Sequence, residues 1–377
     1  MAYKFDCKYF SGYKPCQFKR QCEGCPNYTP VRQNILIISL EALGAVLRST
    51  CLLTPIKRKY PSSHITWVTL PGAHHLLTHN PLIDRVIKLQ PETISVLQYL
   101  KFDVLFAVDK SLQAGALAEQ THATLKFGFG LTENGKIRPL SDEALYQFDV
   151  GLDDDLKFFR NQKPETQQIT ETMGLRWKRD EYVYAFSQEE KEVLAQIRQS
   201  LAEGAEGVIG YNTGCSTLYP YKKLTVSKSI ELIKRWRDQH PKWKVALLGG
   251  PEDESRQEEI KSAFADDFFV VNTPTNQGLR AGMLWMAAAD IVFTGCSLGL
   301  HMAVSLKKHV VVWFGVSCPQ EIDLYERGFK ILADVSCSPC WKKSCQNEPK
   351  CFDSVDVKKV LDRFKEIITK KSYLGVQ

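Results

Sequence analysis

Eight of the twelve cysteines stand in two short groups. Cys7, Cys16, Cys22 and Cys25 crowd the N-terminus, and Cys337, Cys340, Cys345 and Cys351 lie within fifteen residues near the C-terminus. Four thiolates make a soft, closed ligand set of the kind that suits tetrahedral zinc or an iron–sulfur cluster. A closed set points to a structural role rather than to catalysis. Reduced free thiols and local disulfides are the alternatives. The opening Met1-Ala-Tyr-Lys-Phe-Asp-Cys7 has no apolar h-region, so an export signal is not expected and disulfides are the weaker reading.

Four further stretches could carry chemistry, and each follows an apolar run. Ser39-Leu-Glu-Ala-Leu-Gly44 turns into a helical pattern and offers Glu41, with Arg48 a turn later; it could equally be a generic strand-to-helix turn. Asn212-Thr-Gly-Cys-Ser-Thr217 is followed by Tyr221-Lys222-Lys223. A lysine there could meet diphosphate charge as a point cation, or be half of a solvated basic pair. Leu248-Gly-Gly-Pro-Glu252-Asp-Glu254 sets acids where ribose hydroxyls are often bound, although acids also simply favour a helix start. Phe293-Thr-Gly-Cys-Ser297-Leu298-Gly299-Leu-His301 puts small residues, a hydroxyl and a histidine at a helix N-terminus, which is an anion site.

These stretches need strands and helices to hold them. Residues 34–40, 64–70, 85–89, 102–108 and 126–130 read as strands, the first a continuous apolar run buried on both faces, with a helix over 112–119. Residues 131–184 are polar and irregular. Ser187 and Glu190 form a capping-box pattern that opens a helix through 201. A second alternating block follows, with strands over 207–211, 244–248, 268–272, 290–294 and 309–314 and helices over 227–239 and 277–289. Alternation of this kind indicates parallel βαβ units, here in two doubly wound domains with ligands at the carboxyl ends of the strands. The last helix, 354–371, carries Val357, Val360, Leu361, Phe364, Ile367 and Ile368 on one face that must be covered, with Ser354 as its expected N-cap.

Composition sets outer limits. The 377 residues, 44% hydrophobic and 24% charged, allow two globular domains and argue against disorder. No apolar run is long enough for a membrane span. The net charge of +6 suits polyanionic substrates or an anionic membrane surface and is too small to argue for nucleic acid.

The motifs together resemble glycosyltransferase family 9, the lipopolysaccharide heptosyltransferases. The resemblance runs from about residue 34 to 368. It rests on Ile35-Leu-Ile-Ile, Leu43-Gly-Ala-Val-Leu-Arg-Ser-Thr50, Leu248-Gly-Gly-Pro-Glu252, Cys296-Ser-Leu-Gly-Leu-His-Met-Ala303 and Trp313-Phe-Gly315. Glu321-Ile-Asp-Leu-Tyr325 and both cysteine groups resemble one branch of the family. The resemblance implies an α/β chain of GT-B architecture, two Rossmann-like domains with an interdomain cleft. It divides the sequence into a cysteine-rich segment 1–32, an acceptor domain 33–186, a nucleotide-sugar domain 187–353 and a helix 354–377 packing back on the first domain. It implies an inverting transferase that needs no catalytic metal and moves a sugar, heptose from ADP-heptose in the characterised members, onto a lipid-linked glycan. Such an enzyme is expected in the cytoplasm, in peripheral contact with the inner membrane surface and without a nucleic-acid partner.

Carried over by position, Lys222, Ser297 and His301 match the lysine, hydroxyl and histidine that meet the diphosphate. Thr213, Leu298 and Gly299 line the same loops, and Glu252 or Glu254 is the ribose contact. Two positions depart from the family: Gly44-Ala45 stands where a Gly-Asp pair would supply the general base, and Cys296 where an Asp would precede the hydroxyl residue. Glu41 is the expected substitute base. Deprotonation by another route, very slow transfer, or a catalytically silent sugar-nucleotide or metal-cluster scaffold are the alternatives.

Overall fold

The computed structural model describes residues 3–374, with side chains described through residue 370. The chain divides into two compact units, Met1–Leu152 with Thr166–Val183 and Asp153–Glu165 with Tyr184–Gln377. The first unit holds strands β1 (Gln33–Ile38), β2 (Ser63–Thr69), β3 (Arg85–Lys88), β4 (Lys101–Ala107), β5 (His122–Leu131) and β6 (Ile137–Pro139). They form one sheet in the order β3-β2-β1-β4-β5-β6, parallel except for β6. The second unit holds β7 (Gly207–Asn212), β8 (Trp243–Leu248), β9 (Val270–Asn272), β10 (Ile291–Gly295), β11 (His309–Phe314) and β12 (Gly328–Leu332). Their order, β12-β11-β10-β7-β8-β9, is the same winding repeated, and every pair is parallel.

The apolar runs sit where their composition demands. Ile35, Leu36, Ile37 and Ile38 are fully buried in the middle of the first sheet, and Val208, Val245, Leu247, Val311 and Val312 are buried in the second. In each sheet the winding reverses between its first and fourth strands, β1 with β4 and β7 with β10. A doubly wound sheet leaves its ligand crevice at that reversal, outside the carboxyl ends of the two strands. The loops after those four strands are therefore the places to look for chemistry.

Four sequence expectations change. The terminal helix, Val357–Leu374, packs its apolar face on the second sheet rather than returning to the first domain: Val357, Val360, Leu361, Phe364 and Ile367 share one core with Trp236, Phe293 and Trp313. Its cap is Asp356, which accepts from the Lys359 N–H at 3.1 Å, while the Ser354 hydroxyl donates back to the Lys350 carbonyl at 2.9 Å. Segment 153–165, expected in the first domain, belongs to the second unit, where the Lys157 and Phe158 carbonyls accept from the Gln320 amide at 3.1 and 3.2 Å. The cysteine-rich preface is part of the first unit: Val31 N–H donates to the Asp6 carbonyl at 2.8 Å, Arg32 N–H to that of Ser62 at 3.1 Å, and Lys8 pairs with buried Asp84 at 2.6 Å. The capping box forms as read, with Ser187 and Glu190 each bonding the other's backbone N–H.

Candidate functional site

At the reversal of the second sheet, one side chain joins the two strand ends. Asn212 closes β7, and its amide donates to the Gly214 carbonyl at 3.0 Å, the Thr294 hydroxyl at 3.0 Å and the Ser297 hydroxyl at 3.2 Å. Ser297 holds the N-cap position of the helix Leu298–Ser305 without a side-chain cap bond, and its bond to Asn212 sets its hydroxyl and the start of that helix beside the end of β7. Gly299 leaves room for this: a Cβ there would lie 2.7 Å from the Asn212 carboxamide. His301 is buried in the first turn of the same helix, and Leu298 is half-buried.

Lys222 arrives from the other side of the loop. It ends a short turn, Pro220–Lys222, and its carbonyl packs on Gly295 so closely that a Cβ there would lie 1.9 Å away. Its ammonium stands 3.9 Å from the centre of the Trp341 ring and 5.1 Å from that of Tyr219. Burial holds the Lys222 pKa below its ordinary value, and the neighbouring Cys296, Cys215, Glu321 and Glu165 pull it back up. Cys296 is itself held up by burial, against the pull of the Lys222 cation. A desolvated cation, a hydroxyl and a helix N-terminus around one strand end form a set of electropositive groups matched to a bound anion.

Thr213 and the acids after β8 take different places from those expected. Thr213 is buried, and both its N–H and its hydroxyl go to the Leu248 carbonyl at 2.8 and 3.0 Å, so it clamps β7 to β8. Glu252 and Glu254 are exposed, while Asp253 between them is 3% exposed and turned inward. Asp253 accepts from the Gly250 N–H at 3.1 Å, and burial raises its pKa, with Lys223 opposing. The sequence names the two outer acids of this turn and misses the middle one.

The reversal of the first sheet is acidic. Glu41 is exposed at the end of β1, just ahead of the helix Leu43–Ser49 that contains Ala45. Asp109 follows β4. Its carboxylate accepts from the Leu40 N–H, from the Glu41 N–H at 3.3 Å and from the Ser39 hydroxyl at 3.2 Å. Burial raises its pKa to about 6, against the pull of these three donors and of Arg48. Asp109 thus holds the turn that presents Glu41. Sequence reading missed it because only the strand order brings residues so far apart in the chain together.

The cysteines also gather. All twelve are free thiols. Cys7, Cys16, Cys22 and Cys25 line one pocket, and Cys337, Cys340, Cys345 and Cys351 line another. In the second pocket, burial and the three neighbouring thiols push the Cys351 pKa up to about 11. Among the described residues, no three Cys, His, Asp or Glu side chains are already drawn together at ligand distance.

Comparison with known proteins bears on the family and the fold. A model of glycosyltransferase family 9 (heptosyltransferase) matches residues 96–351. No curated protein matches the chain. Among solved structures, a family 9 glycosyltransferase from Veillonella parvula is 16% identical, covers 90% of this chain and 98% of its own, and has a TM-score of 0.69. The ADP-heptose lipopolysaccharide heptosyltransferase II of E. coli is 17% identical over 90% of this chain and 99% of its own, with a TM-score of 0.67. E. coli heptosyltransferase WaaC, solved with ADP, is 16% identical over 89% and 99%, with a TM-score of 0.60. At such identities the likeness is one of fold, the GT-B pair of Rossmann-like domains.

Proposed function

Because the chain belongs to glycosyltransferase family 9, we propose that this glycosyltransferase moves a heptose from ADP-heptose to a lipid-linked glycan, a lipopolysaccharide core or a related surface glycan, with inversion at the anomeric carbon. The observation that carries this reading is the second reversal, where Ser297 and the start of helix Leu298–Ser305 lie beside the end of β7 and the Lys222 segment packs on Gly295 at the end of β10. These groups receive the donor diphosphate. Of the similar structures, one is an ADP-heptose heptosyltransferase and another holds ADP, which supports an adenine nucleotide.

In the reaction the acceptor hydroxyl oxygen attacks the anomeric carbon. The bond from that carbon to the diphosphate oxygen breaks, and the nucleoside diphosphate leaves with the electron pair. The acceptor's proton passes to the Glu41 carboxylate, the exposed acid at the end of β1 that replaces the base Ala45 cannot supply. Charge on the leaving diphosphate is met by the Lys222 ammonium and by the first N–H groups of helix Leu298–Ser305, electrostatic stabilisation that needs no metal at the reacting atoms. His301, in the first turn of that helix, belongs to the same anion site. On this reading Glu252 and Glu254, exposed after β8, are the acids within reach of the donor ribose, and Asp253 shapes the turn from within.

The net charge of +6 suits a cytoplasmic protein working at an anionic membrane surface. No described helix is long and apolar enough to cross a membrane. The test is an assay with ADP-heptose and truncated lipopolysaccharide core beside a panel of other nucleotide-sugars. Release of ADP with heptosylated product is expected. Absence of both turnover and nucleotide binding across the panel overturns the reading, and binding without transfer leaves a silent nucleotide-sugar binder.

A further inference from the structure

The second cysteine pocket touches the candidate donor site through its own loop. Residues 333–356, between β12 and the terminal helix, form no helix or strand. A loop of that length without regular structure is uncommon in a compact domain, and ordering it costs backbone entropy at every residue. Yet the loop packs closely. The N–H groups of Cys340 and Trp341 both donate to the Val316 carbonyl, at 3.1 and 2.8 Å. Cys351 comes so near the end of β11 that a Cβ on Gly315 would lie 2.8 Å from its sulfur.

The loop then grips the segment that bears the donor lysine, in four places. Trp341 meets Tyr219 edge-on, with ring centres 5.3 Å apart. Phe352 stacks on Tyr221 at 5.1 Å, with 10° between the ring planes. Asp353 accepts from the Thr225 hydroxyl at 3.0 Å. The Lys222 ammonium sits over the Trp341 ring itself. Trp341 is next to Cys340 in sequence, and Phe352 is next to Cys351, so the ring under the lysine and the ring stacked on its neighbour Tyr221 each adjoin one of the thiols.

We propose that Cys337, Cys340, Cys345 and Cys351 bind one zinc ion, and that this ion positions Lys222 by fixing the loop that carries Trp341 and Phe352. The donor set is four soft ligands spaced by two, four and five residues, all opening on one pocket, which is what a closed structural zinc site requires. Neutral thiols have nothing to hold them together and become thiolates only as a metal displaces their protons, so such a site draws its ligands together when the metal binds. A metal that closes a long loop offsets the entropy of ordering it. The metal site stands on these residues alone, whereas its effect on the donor rests on the reading of Lys222 given above.

The test compares the full-length protein with a Cys340→Ser/Cys345→Ser variant and with Trp341→Leu. Zinc per chain is measured after gel filtration in zinc-supplemented buffer, and ADP binding by titration calorimetry. The double variant is expected to hold one zinc fewer per chain than the unaltered protein, whatever the N-terminal quartet binds. Its ADP dissociation constant is expected to rise roughly tenfold, the scale of a lost cation–π wall and a loosened loop. Trp341→Leu should keep its zinc and show a similar loss of ADP affinity. Chelation of the unaltered protein should weaken ADP binding reversibly, which keeps the test valid if the double variant does not fold. Equal zinc content in both proteins, or iron with sulfide and visible absorption, overturns the zinc site. One zinc fewer with unchanged ADP affinity overturns the positioning role. Zinc-loaded protein that binds no nucleotide overturns the donor reading, and the coupling with it, while the metal site stands.

Discussion

The two sheets share one winding, yet the loops at their reversals are built from opposite materials. After β7 and β10 stand an amide, a hydroxyl, a helix N-terminus and a half-desolvated lysine, all suited to receiving negative charge. After β1 and β4 stand two carboxylates, one exposed and one holding the turn from beneath. The difference teaches that the fold supplies only the place, the crevice at the reversal, and that side chains decide whether it takes an anion or a proton. A transferase whose leaving group is a diphosphate and whose nucleophile is a hydroxyl needs one of each.

The first way to break the comparison is to remove its cation. Lys222→Ala should lower kcat/KM about a thousandfold, roughly 4 kcal/mol, if, as proposed, the lysine meets charge that grows as the diphosphate leaves. Lys222→Arg should recover only part of it, because the flat aromatic wall and the Gly295 contact fit a compact ammonium. Steady-state kinetics with the donor varied measures both. Glu41→Gln tests the acidic side. It should lower kcat about a hundredfold with little change in ADP affinity, the scale of losing a general base. If Glu41→Gln turns over normally, the proton leaves by another route and the two reversals are not complementary in the way argued here.

Asp109→Asn sharpens the comparison by separating support from chemistry. The Asp109 carboxyl has a pKa raised from 3.8 to about 6. Between those values the folded state holds the proton more tightly than the unfolded state, so the wild-type chain loses stability as pH rises through that window. An asparagine can accept the same backbone N–H groups without carrying the charge. The variant should therefore match the wild type near pH 4 and exceed it by about 2 kcal/mol above pH 6, a figure that allows for the partly open edge of the site. Urea unfolding across the pH range checks this, and kcat should fall far less than in Glu41→Gln.

Much of this frame was legible in the sequence because buried parallel strands announce themselves as unbroken apolar runs, as in Asn34–Leu40 and Gly207–Tyr211. β6 and β12 were missed: Ile137-Arg-Pro139 is three residues ending in a proline, and Gly328–Leu332 is a half-exposed edge. The terminal helix showed an apolar face that needed cover, but periodicity says nothing of which sheet provides it. The candidate site was legible only to within a turn. Lys222 and Ser297 could be carried over from motifs. Asn212, Asp253 and Asp109 depend on which way a strand's last residue points, on the winding of one short turn and on a strand order, none of which is local in sequence.

The smallest effect concerns Asn212, and it tests whether the anion side is a designed junction or a mere meeting of loops. Its amide makes three hydrogen bonds, of which those to Thr294 and Ser297 tie β7 to β10 and the loop after it and the third returns to Gly214. Asn212→Ala removes the tie and leaves the Gly214 carbonyl without this donor. The expected cost is about 1–2 kcal/mol in urea unfolding, the scale for a partly buried polar group that loses its partner. ADP affinity should fall only a few-fold, because Lys222 and the helix N-terminus remain. Asn212→Asp preserves the shape but replaces a donor by a negative charge facing the Ser297 hydroxyl and the helix start. It should weaken ADP more than Asn212→Ala does, although it perturbs the packing less. If the two variants bind ADP equally well, the end of β7 does not face the diphosphate, and the contrast between an anion-receiving and a proton-receiving reversal loses its first half.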